Sequence, residues 1–422
     1  MTLAQSLRRA FKRIYIRAPE PIPPEHRSLL LLVGAARFIS AYDVNIYGLA
    51  IPQIQKSFGI ADKDIGLPIV FFRMGMIPAI ALAYLADRVG RRTLMMVTLA
   101  GATFATVWTA FTQNLVEFVL AQTLARVFIY TEELLCVVVI AEEFNERTRG
   151  WAVGQLGALA ALGAGFAAVV FGFVNLLPYG WRAIYFLGAV PLLWLLWARQ
   201  SLPETRRFQE HNSHALRIDP LLSLLRHHPR RLILLVCVAA PYAFSMASAI
   251  LFVTNTLQKV HHWAPGQVTT LILGGGAIAI LGNTVAGSLS DRFGRKTVLS
   301  ATILISVVAY ASFYTWATGP WLVLLWTVAL FTYMAADIMI AAFGAELFPT
   351  AHRSLASSIR LFVWLTAGGL GLLFEAQLFR LFNDHGTAIA LMTLSAPISI
   401  FAVAMLPEPA KKSLEEISAD AS

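Results

Sequence analysis

Two nearly identical stretches decide how this chain is organised: Leu85-Ala86-Asp87-Arg88-Val89-Gly90-Arg91-Arg92-Thr93 and Leu289-Ser290-Asp291-Arg292-Phe293-Gly294-Arg295-Lys296-Thr297. They lie 204 residues apart, and each stands between two long apolar runs. We call them the first and second basic loops. A charged stretch between membrane-length segments must lie in water, and Arg and Lys concentrate on the cytoplasmic side of a bilayer. The two loops therefore predict both an orientation and an internal repeat.

The composition is that of a membrane protein. Of the 422 residues, 57% are hydrophobic and 14% are charged, whereas soluble domains carry roughly 25% charged residues. The net charge of +9 is explained by basic residues in cytoplasmic loops rather than by nucleic-acid binding. Neither a Walker motif nor a zinc-ligand spacing occurs, so we expect no enzyme, no metal site and no cofactor. Cys136 and Cys237 stand in apolar runs, where cysteine packs as a small apolar residue.

Twelve apolar runs are long enough to cross the membrane as helices. They are predicted at about 29–52, 65–86, 93–111, 116–141, 150–173, 182–198, 232–254, 267–290, 297–316, 321–344, 355–378 and 387–406. The distribution of Lys and Arg places both termini and the central loop in the cytoplasm. The predicted organisation is a tail, a six-helix bundle, a central loop, a second six-helix bundle and a tail, at 1–28, 29–198, 199–231, 232–406 and 407–422.

The offset of 204 residues recurs beyond the basic loops. It relates Glu142 to Glu346, Arg149 to Arg353, and Leu202-Pro203-Glu204 to Leu406-Pro407-Glu408. A constant offset without gaps indicates two halves of nearly equal length. Parallel repeats of this kind are typical of secondary transporters whose halves rock against each other.

These motifs resemble those of the major facilitator superfamily over essentially the whole chain. The family pattern Gly-x-Leu-Ala-Asp-Arg-x-Gly-Arg-Arg matches both basic loops, with Ala83, Ser290 and Lys296 as departures. Four further stretches are similar to the sugar-porter and metabolite–proton symporter branches: Gly180-Trp181-Arg182, Pro203-Glu204-Thr205, Glu346-Leu347-Phe348-Pro349 and Leu406-Pro407-Glu408. The resemblance implies an all-α fold of two six-helix bundles whose first, fourth, seventh and tenth helices line a central cavity.

Ionisable residues inside the predicted helices are candidates for function, because an ionised group at the bilayer centre costs about 2.5–3.5 kcal/mol or more. Glu133 and Asp337 are related by the 204-residue offset. Each lies nine residues before a loop glutamate, or roughly 13 Å along a helix. Arg126, Tyr130 and Glu133 share one face of the fourth helix. The candidate residues for proton coupling and the substrate cavity are Asp43, Arg73, Arg126, Tyr130, Glu133 and Asp337.

Several of these charges also have a structural interpretation. Asp43 and Arg73 come out near mid-membrane on neighbouring helices, so they are predicted to pair, and such a pair could simply hold the bundle together. Arg37 and Arg360 are expected to extend toward the cytoplasmic water. Glu375 is expected near the periplasmic boundary, where its charge can meet water.

The favoured hypothesis is a secondary active transporter that moves a small organic solute by alternating access. Proton-coupled symport of a metabolite or organic anion is preferred, with Asp43, Glu133 or Asp337 as the coupling group and Arg73 or Arg126 facing the substrate. The alternative is a proton antiporter that exports organic cations or drugs, and a non-transporting membrane receptor is a third hypothesis. The expected partners are solute, protons and the lipid bilayer, without nucleic acid. We expect a monomer in the inner (plasma) membrane that crosses it several times.

The resemblance also implies a cytoplasmic gate around the basic loops. In the family the loop aspartate faces a helix start in the other half, so Asp87 would face the eleventh helix and Asp291 the fifth. A carboxylate is stabilised at a helix N-terminus. The gate candidates are Asp87, Arg88, Gly90, Arg91, Arg92, Glu142, Arg149, Asp291, Arg292, Gly294, Arg295, Glu346 and Arg353.

Overall fold

The computed structural model describes residues 18, 20–145, 148–201, 224, 226, 228–348, 350–406 and 408. Some side chains within these ranges lie outside the description: 87, 141, 201, 280–288, 291, 344–346 and 350–354. All regular secondary structure in the described ranges is helical. The structure thus confirms the predicted all-α class.

The described residues before the central segment form eight α-helices. They are α1 Pro24–Leu49, α2 Ile51–Phe58, α3 Leu67–Met74, α4 Met76–Val89, α5 Arg91–Phe111, α6 Leu115–Glu143, α7 Arg149–Gly172 and α8 Trp181–Ala198. Short 3₁₀ turns lie at Asp62–Asp64 and Arg199–Ser201. The start of α6 shows why the helices begin where they do. Asn114 accepts a hydrogen bond from the backbone N–H of Glu117 at 2.9 Å, and Glu117 accepts one from the N–H of Gln113 at 2.9 Å.

After the central segment, the described residues form eight more α-helices. They are α9 Pro229–Leu251, α10 Val253–Lys259, α11 Pro265–Phe293, α12 Arg295–Thr315, α13 Pro320–Glu346, α14 Thr350–Phe382, α15 His385–Thr393 and α16 Pro397–Met405. Four of them begin at a proline. Its fixed φ suits the first turn of a helix, where the backbone N–H has no intrahelical partner in any case.

Ten segments of the described chain are long and apolar enough to cross a membrane. Three of them contain two successive helices: Asp62–Ala86 contains α3 and most of α4, Pro229–Lys259 contains α9 and α10, and His385–Met405 contains α15 and α16. The helices α6 and α11 are 29 residues each, so both also have the length to cross. The set is consistent with the twelve predicted spans.

The basic loops are shorter than expected. In the first, α4 ends at Val89 and α5 begins at Arg91, and in the second α11 ends at Phe293 and α12 begins at Arg295. A single glycine joins each pair, with φ of 104° at Gly90 and 93° at Gly294. Such a φ favours glycine because it has no Cβ. The two joints have nearly the same backbone geometry, as the repeat predicts.

The chain divides into two compact units. Unit 1 comprises Met1–Ile46, Met74–Ala167 and Pro178–His214, and unit 2 comprises Tyr47–Arg73, Ala168–Leu177 and Ala215–Ser422. Within unit 1, α7 approaches α1 so closely that a Cβ on Gly163 would lie 2.0 Å from the carbonyl oxygen of Phe38. Within unit 2, a Cβ on Gly371 of α14 would lie 2.2 Å from the carbonyl oxygen of Phe244 on α9. Small residues at such contacts allow close helix packing in lipid.

Candidate substrate and proton sites

The first buried charge pair joins α1 to α6 in unit 1. Arg126 Nη1 donates to Asp43 Oδ1 at 2.7 Å, and Thr106 Oγ1 on α5 donates to the other oxygen of Asp43 at 2.8 Å. Both charged side chains are about 3% exposed or less. The second terminal nitrogen of Arg126 contacts the carbonyl oxygens of Asp43 and Val44. This is a closed pair, because protein groups surround both charges.

The predicted partnership of Asp43 with Arg73 is wrong. Asp43 pairs with Arg126, and Arg73 on α3 donates instead to the carbonyl oxygen of Leu365 on α14 at 3.2 Å. Counting residues along each helix gives only an approximate depth and no rotation, so the count could not show which arginine faces Asp43. Tyr130, one turn after Arg126 on α6, is half-buried and lies within electrostatic range of Arg126.

A second closed pair was missed by sequence reasoning. Glu132 on α6 forms an ion pair with Arg199, which follows α8 in a 3₁₀ turn, and both side chains are almost fully buried. Thr98 Oγ1 donates to Glu132 at 2.7 Å, and Cys136 Sγ lies 3.5 Å from Glu132 Oε1. Arg199 was expected in the polar central loop. No Gly or Pro separates Arg199 from the end of α8, and this was the only sequence signal that helical structure continues to this residue.

Two further pairs are open rather than closed. Glu133 pairs with Arg37, and the side chains are 33% and 18% exposed. Arg360 Nη1 donates to Asp337 Oδ1 at 3.3 Å, and Asp337 is 38% exposed while Arg360 is 14% exposed. Charged groups at membrane depth that protein does not cover face water-filled space rather than lipid. These four side chains are therefore the candidates for contact with a solute or water.

The open pairs are related by the repeat only in part. Glu133 and Asp337 are repeat-equivalent, whereas Arg37 lies on α1 and Arg360 on α14. Neither arginine points freely toward the cytoplasmic water as expected, since each forms an ion pair with a carboxylate inside its own unit.

Glu375 is also differently placed from the expectation. It is 1% exposed on α14, and one carboxylate oxygen lies 2.6 Å from Nδ1 of His385, the first residue of α15. The imidazole stacks between Phe252 and Phe379, with ring centroids 4.6 and 4.1 Å away. Next to it, partial burial alone would raise the pKa of Asp384, but hydrogen bonds from Thr387 hold that pKa below its usual value.

The family can now be decided. A model of the Major Facilitator Superfamily matches residues 33–280 and 242–421. The chain belongs to the Major Facilitator Superfamily. It is therefore a membrane transporter and not an enzyme, and the resemblance inferred from the basic loops is confirmed.

Individual transporters are similar to the chain over most of its length. The chain is 26% identical over 394 residues to a probable 4-methylmuconolactone transporter of Cupriavidus pinatubonensis, with 90% of each chain covered. It is 25% identical over 424 residues to a citrate–proton symporter of Salmonella typhi, with 89% of this chain and 93% of that one covered. The fold is similar to that of a D-xylose–proton symporter, with a TM-score of 0.73 at 18% identity over 92% of this chain and 99% of that chain.

The superfamily motif residues of the first basic loop make contacts within unit 1. Arg91 binds Glu142 through two hydrogen bonds of 3.0 and 3.2 Å, and Arg92 donates to the carbonyl oxygen of Gln200 at 2.7 Å. Arg88 lies over the ring of Tyr84 at 5.8 Å. Arg149 is exposed. The side chains of four gate candidates lie outside the described residues: Asp87, Asp291, Glu346 and Arg353.

The second basic loop is capped by a residue not assigned to the site from sequence. Glu408 accepts hydrogen bonds from the backbone N–H groups of Arg295 and Lys296 at 2.9 and 3.1 Å. These are the first two residues of α12, so the carboxylate satisfies N–H groups that have no intrahelical partner. Arg292 lies over the ring of Phe293 at 5.2 Å. The repeated Leu-Pro-Glu motif was the available signal.

Proposed function

We propose that the protein is a proton-coupled symporter of a small organic acid that works by alternating access in the inner membrane. The observation that carries the proposal is the contrast between closed and open pairs. Asp43–Arg126 and Glu132–Arg199 are sealed from water, whereas the repeat-equivalent carboxylates Glu133 and Asp337 are about one-third exposed. The relatives named for transport of citrate with protons and of 4-methylmuconolactone support an organic acid as the solute.

The open pairs have the properties that coupling requires. A carboxylate that loses its arginine partner in a low-dielectric surrounding takes up a proton more readily. Protonation also removes the cost of carrying a negative charge through an occluded state. The freed arginine can then hold an anion. Asp43, the third coupling candidate, can exchange a proton only when its pair with Arg126 opens, so we assign that pair to holding α1, α5 and α6 together.

The arginines argue against the antiporter alternative. A cation exporter needs carboxylates that a cation can reach without meeting positive charge. Each of Asp43, Glu132, Glu133 and Asp337 has a guanidinium group in contact with it. An organic cation at any of them would meet an arginine as well. A receptor without transport has no use for membrane-embedded carboxylates that are partly open to water.

The basic loops are proposed to form a cytoplasmic gate. Arg91 and Glu142 fix the end of α6 against the start of α5, and Gly90 and Gly294 make the sharp joints on which this depends. We further propose that the two six-helix bundles, 29–198 and 232–406, rock against each other, as parallel repeats do in other transporters.

Uptake into proteoliposomes tests the proposal. The purified protein would be reconstituted and given radiolabelled benzoate, citrate, D-xylose or tetraphenylphosphonium, with the outside at pH 6 or at the internal pH of 7.5. We expect one of the two acids to accumulate only when the outside is acidic. The double variant Glu133→Gln/Asp337→Asn should lose this accumulation, whereas Glu117→Gln, at the start of α6, should retain it. Movement of no solute under any gradient, or proton-driven export of the cation alone, would overturn the proposal.

A further inference from the structure

The open pair of unit 2 is held by one weak contact. The distance of 3.3 Å between Arg360 Nη1 and Asp337 Oδ1 exceeds the 2.7–2.9 Å typical of a charge-assisted hydrogen bond. Asp43, by comparison, accepts bonds of 2.7 and 2.8 Å on its two oxygens. Among the described residues, Arg360 makes no other hydrogen bond, so most of its N–H donors remain available. A second anion can therefore reach this guanidinium group.

Aromatic rings stand directly beside this arginine. Trp364 lies one turn further along α14, and the guanidinium carbon of Arg360 is 5.9 Å from the centroid of its ring. Tyr333 lies one turn before Asp337 on α13, and its ring centroid is 6.3 Å from that of Trp364. Both rings are partly exposed, so a planar group can pack against them. Tyr242 of α9 packs against this group, with its ring centroid 6.1 Å from that of Tyr333. Its hydroxyl oxygen lies 3.1 Å from the hydroxyl oxygen of Ser306.

A second arginine reaches the same region of unit 2. The side chain of Arg73 crosses α14 at a glycine notch, where a Cβ on Gly368 would lie 2.0 Å from Nη1. The guanidinium group is anchored on the carbonyl oxygen of Leu365 at 3.2 Å, one residue beyond Trp364. It also lies within electrostatic range of Tyr333. This position adds positive potential beside the exposed rings.

We propose that Arg360, Trp364 and Tyr333 form a subsite for a planar, unsaturated carboxylic acid, and that the bound carboxylate displaces Asp337 from Arg360. This deepens the proposed function and rests on it. Two parallel N–H groups of the arginine guanidinium can donate to the two oxygens of a carboxylate. The planar guanidinium group and the rings of Trp364 and Tyr333 favour stacking with a flat ligand. A saturated acid would gain the ion pair but lose the stacking.

Displacement supplies the coupling step. The groups that face Asp337 are Arg360 from α14, Tyr333 on its own helix, Tyr242 from α9, and Arg73 near Tyr333. When the substrate occupies Arg360, Asp337 loses its only hydrogen-bonded cation among the described residues and takes up one proton from the solution to which the site is open. The proton leaves again when the substrate departs and Arg360 returns to Asp337.

Calorimetric titration of the full-length protein in lipid nanodiscs, with benzoate and its neutral isostere benzamide as probes, tests this subsite. We expect benzoate to bind and benzamide to bind at least about 100-fold more weakly. Arg360→Gln should weaken benzoate binding by at least about tenfold, equivalent to about 1.4 kcal/mol. Asp337→Asn should not weaken benzoate binding, because it removes the carboxylate that competes for Arg360. At pH 8 this variant should bind benzoate as tightly as the wild type or more tightly.

Further variants separate binding from folding. Arg360→Lys keeps the charge but not the fork and should bind more weakly than the wild type. Trp364→Phe should bind nearly as well as the wild type, and Trp364→Leu should not. Arg380→Gln, near the end of the same helix, is the matched control and should leave benzoate affinity unchanged. Titrations in two buffers of different ionisation enthalpy should show about one proton taken up per benzoate at pH 7, and none in Asp337→Asn.

Two outcomes would overturn the subsite. Equal losses of affinity in Arg360→Gln and Asp337→Asn would mean that the pair only supports the structure. Absence of benzoate binding to the wild type would exclude a planar-acid subsite. If the proteoliposomes nevertheless accumulate citrate under an acidic gradient, the symporter proposal stands without this subsite. If they accumulate no solute, both proposals fall.

Discussion

The intramembrane charges divide into two kinds by their surroundings. Asp43 could be selected from sequence, because a lone charge in an apolar run stands out. Its partner could not, because pairing depends on how each helix is rotated and on which neighbour it meets. Arg199 and His385 were not identified as buried residues from the sequence for a related reason. They lie where an apolar run ends or begins, so composition gives no sign that they are enclosed.

The closed pair Asp43–Arg126 gives a test at the level of single residues. Asp43→Asn leaves the guanidinium of Arg126 buried without a counter-charge, and removing one partner of a buried pair costs about 3–5 kcal/mol. The double variant Asp43→Asn/Arg126→Gln should recover much of this loss, because no lone charge remains. Denaturant titration of the detergent-solubilised protein measures both. A single variant as stable as the wild type, or a double variant no better than the single, would contradict the assignment of this pair to stability.

At the level of secondary-structure elements, the sequence predicted some helix ends well and others poorly. The spans follow from apolar runs of about 20 residues, and the described helices are consistent with them. The breaks within spans, such as the one between α9 and α10 at Phe252, carry no marker as strong as a charge. The basic loops were identified correctly as joints, but their length was overestimated, because one glycine with a positive φ replaces a whole turn.

These joints predict a matched set of substitutions. Gly90→Ala and Gly294→Ala should each lower the free energy of unfolding by about 1–3 kcal/mol, because the new Cβ is strained at φ values near 100°. At Gly294 the Cβ would also lie 3.2 Å from the Glu408 carboxylate that caps α12. Gly266→Ala is the control, since no heavy atom lies within 4 Å of the point where its Cβ would stand, and in a helix it should be neutral or stabilising. Equal stability of all three variants would refute the role of the joints.

At the level of the whole molecule, the two halves are related by a sequence repeat, but some of their side-chain contacts do not follow it. The offset of 204 residues predicted two equivalent basic joints, and it also relates Glu133 to Asp337, which both lie in open ion pairs. It could not predict that their arginine partners come from α1 in one case and α14 in the other. Backbone geometry is set by motifs that both halves retain, whereas a transported solute is asymmetric and needs different groups on its different sides. We therefore expect the groups that contact the solute to differ between the halves, as Arg37 and Arg360 do.

The most direct test of coupled transport through the open carboxylates is proton influx driven by the solute. Proteoliposomes containing a trapped pH-sensitive dye would be held at pH 7.5 on both sides, and the transported acid added outside. The wild type should acidify the lumen faster than protein-free liposomes. Glu133→Gln/Asp337→Asn should exchange labelled for unlabelled solute without that additional acidification. Undiminished solute-driven acidification in this double variant would contradict the account.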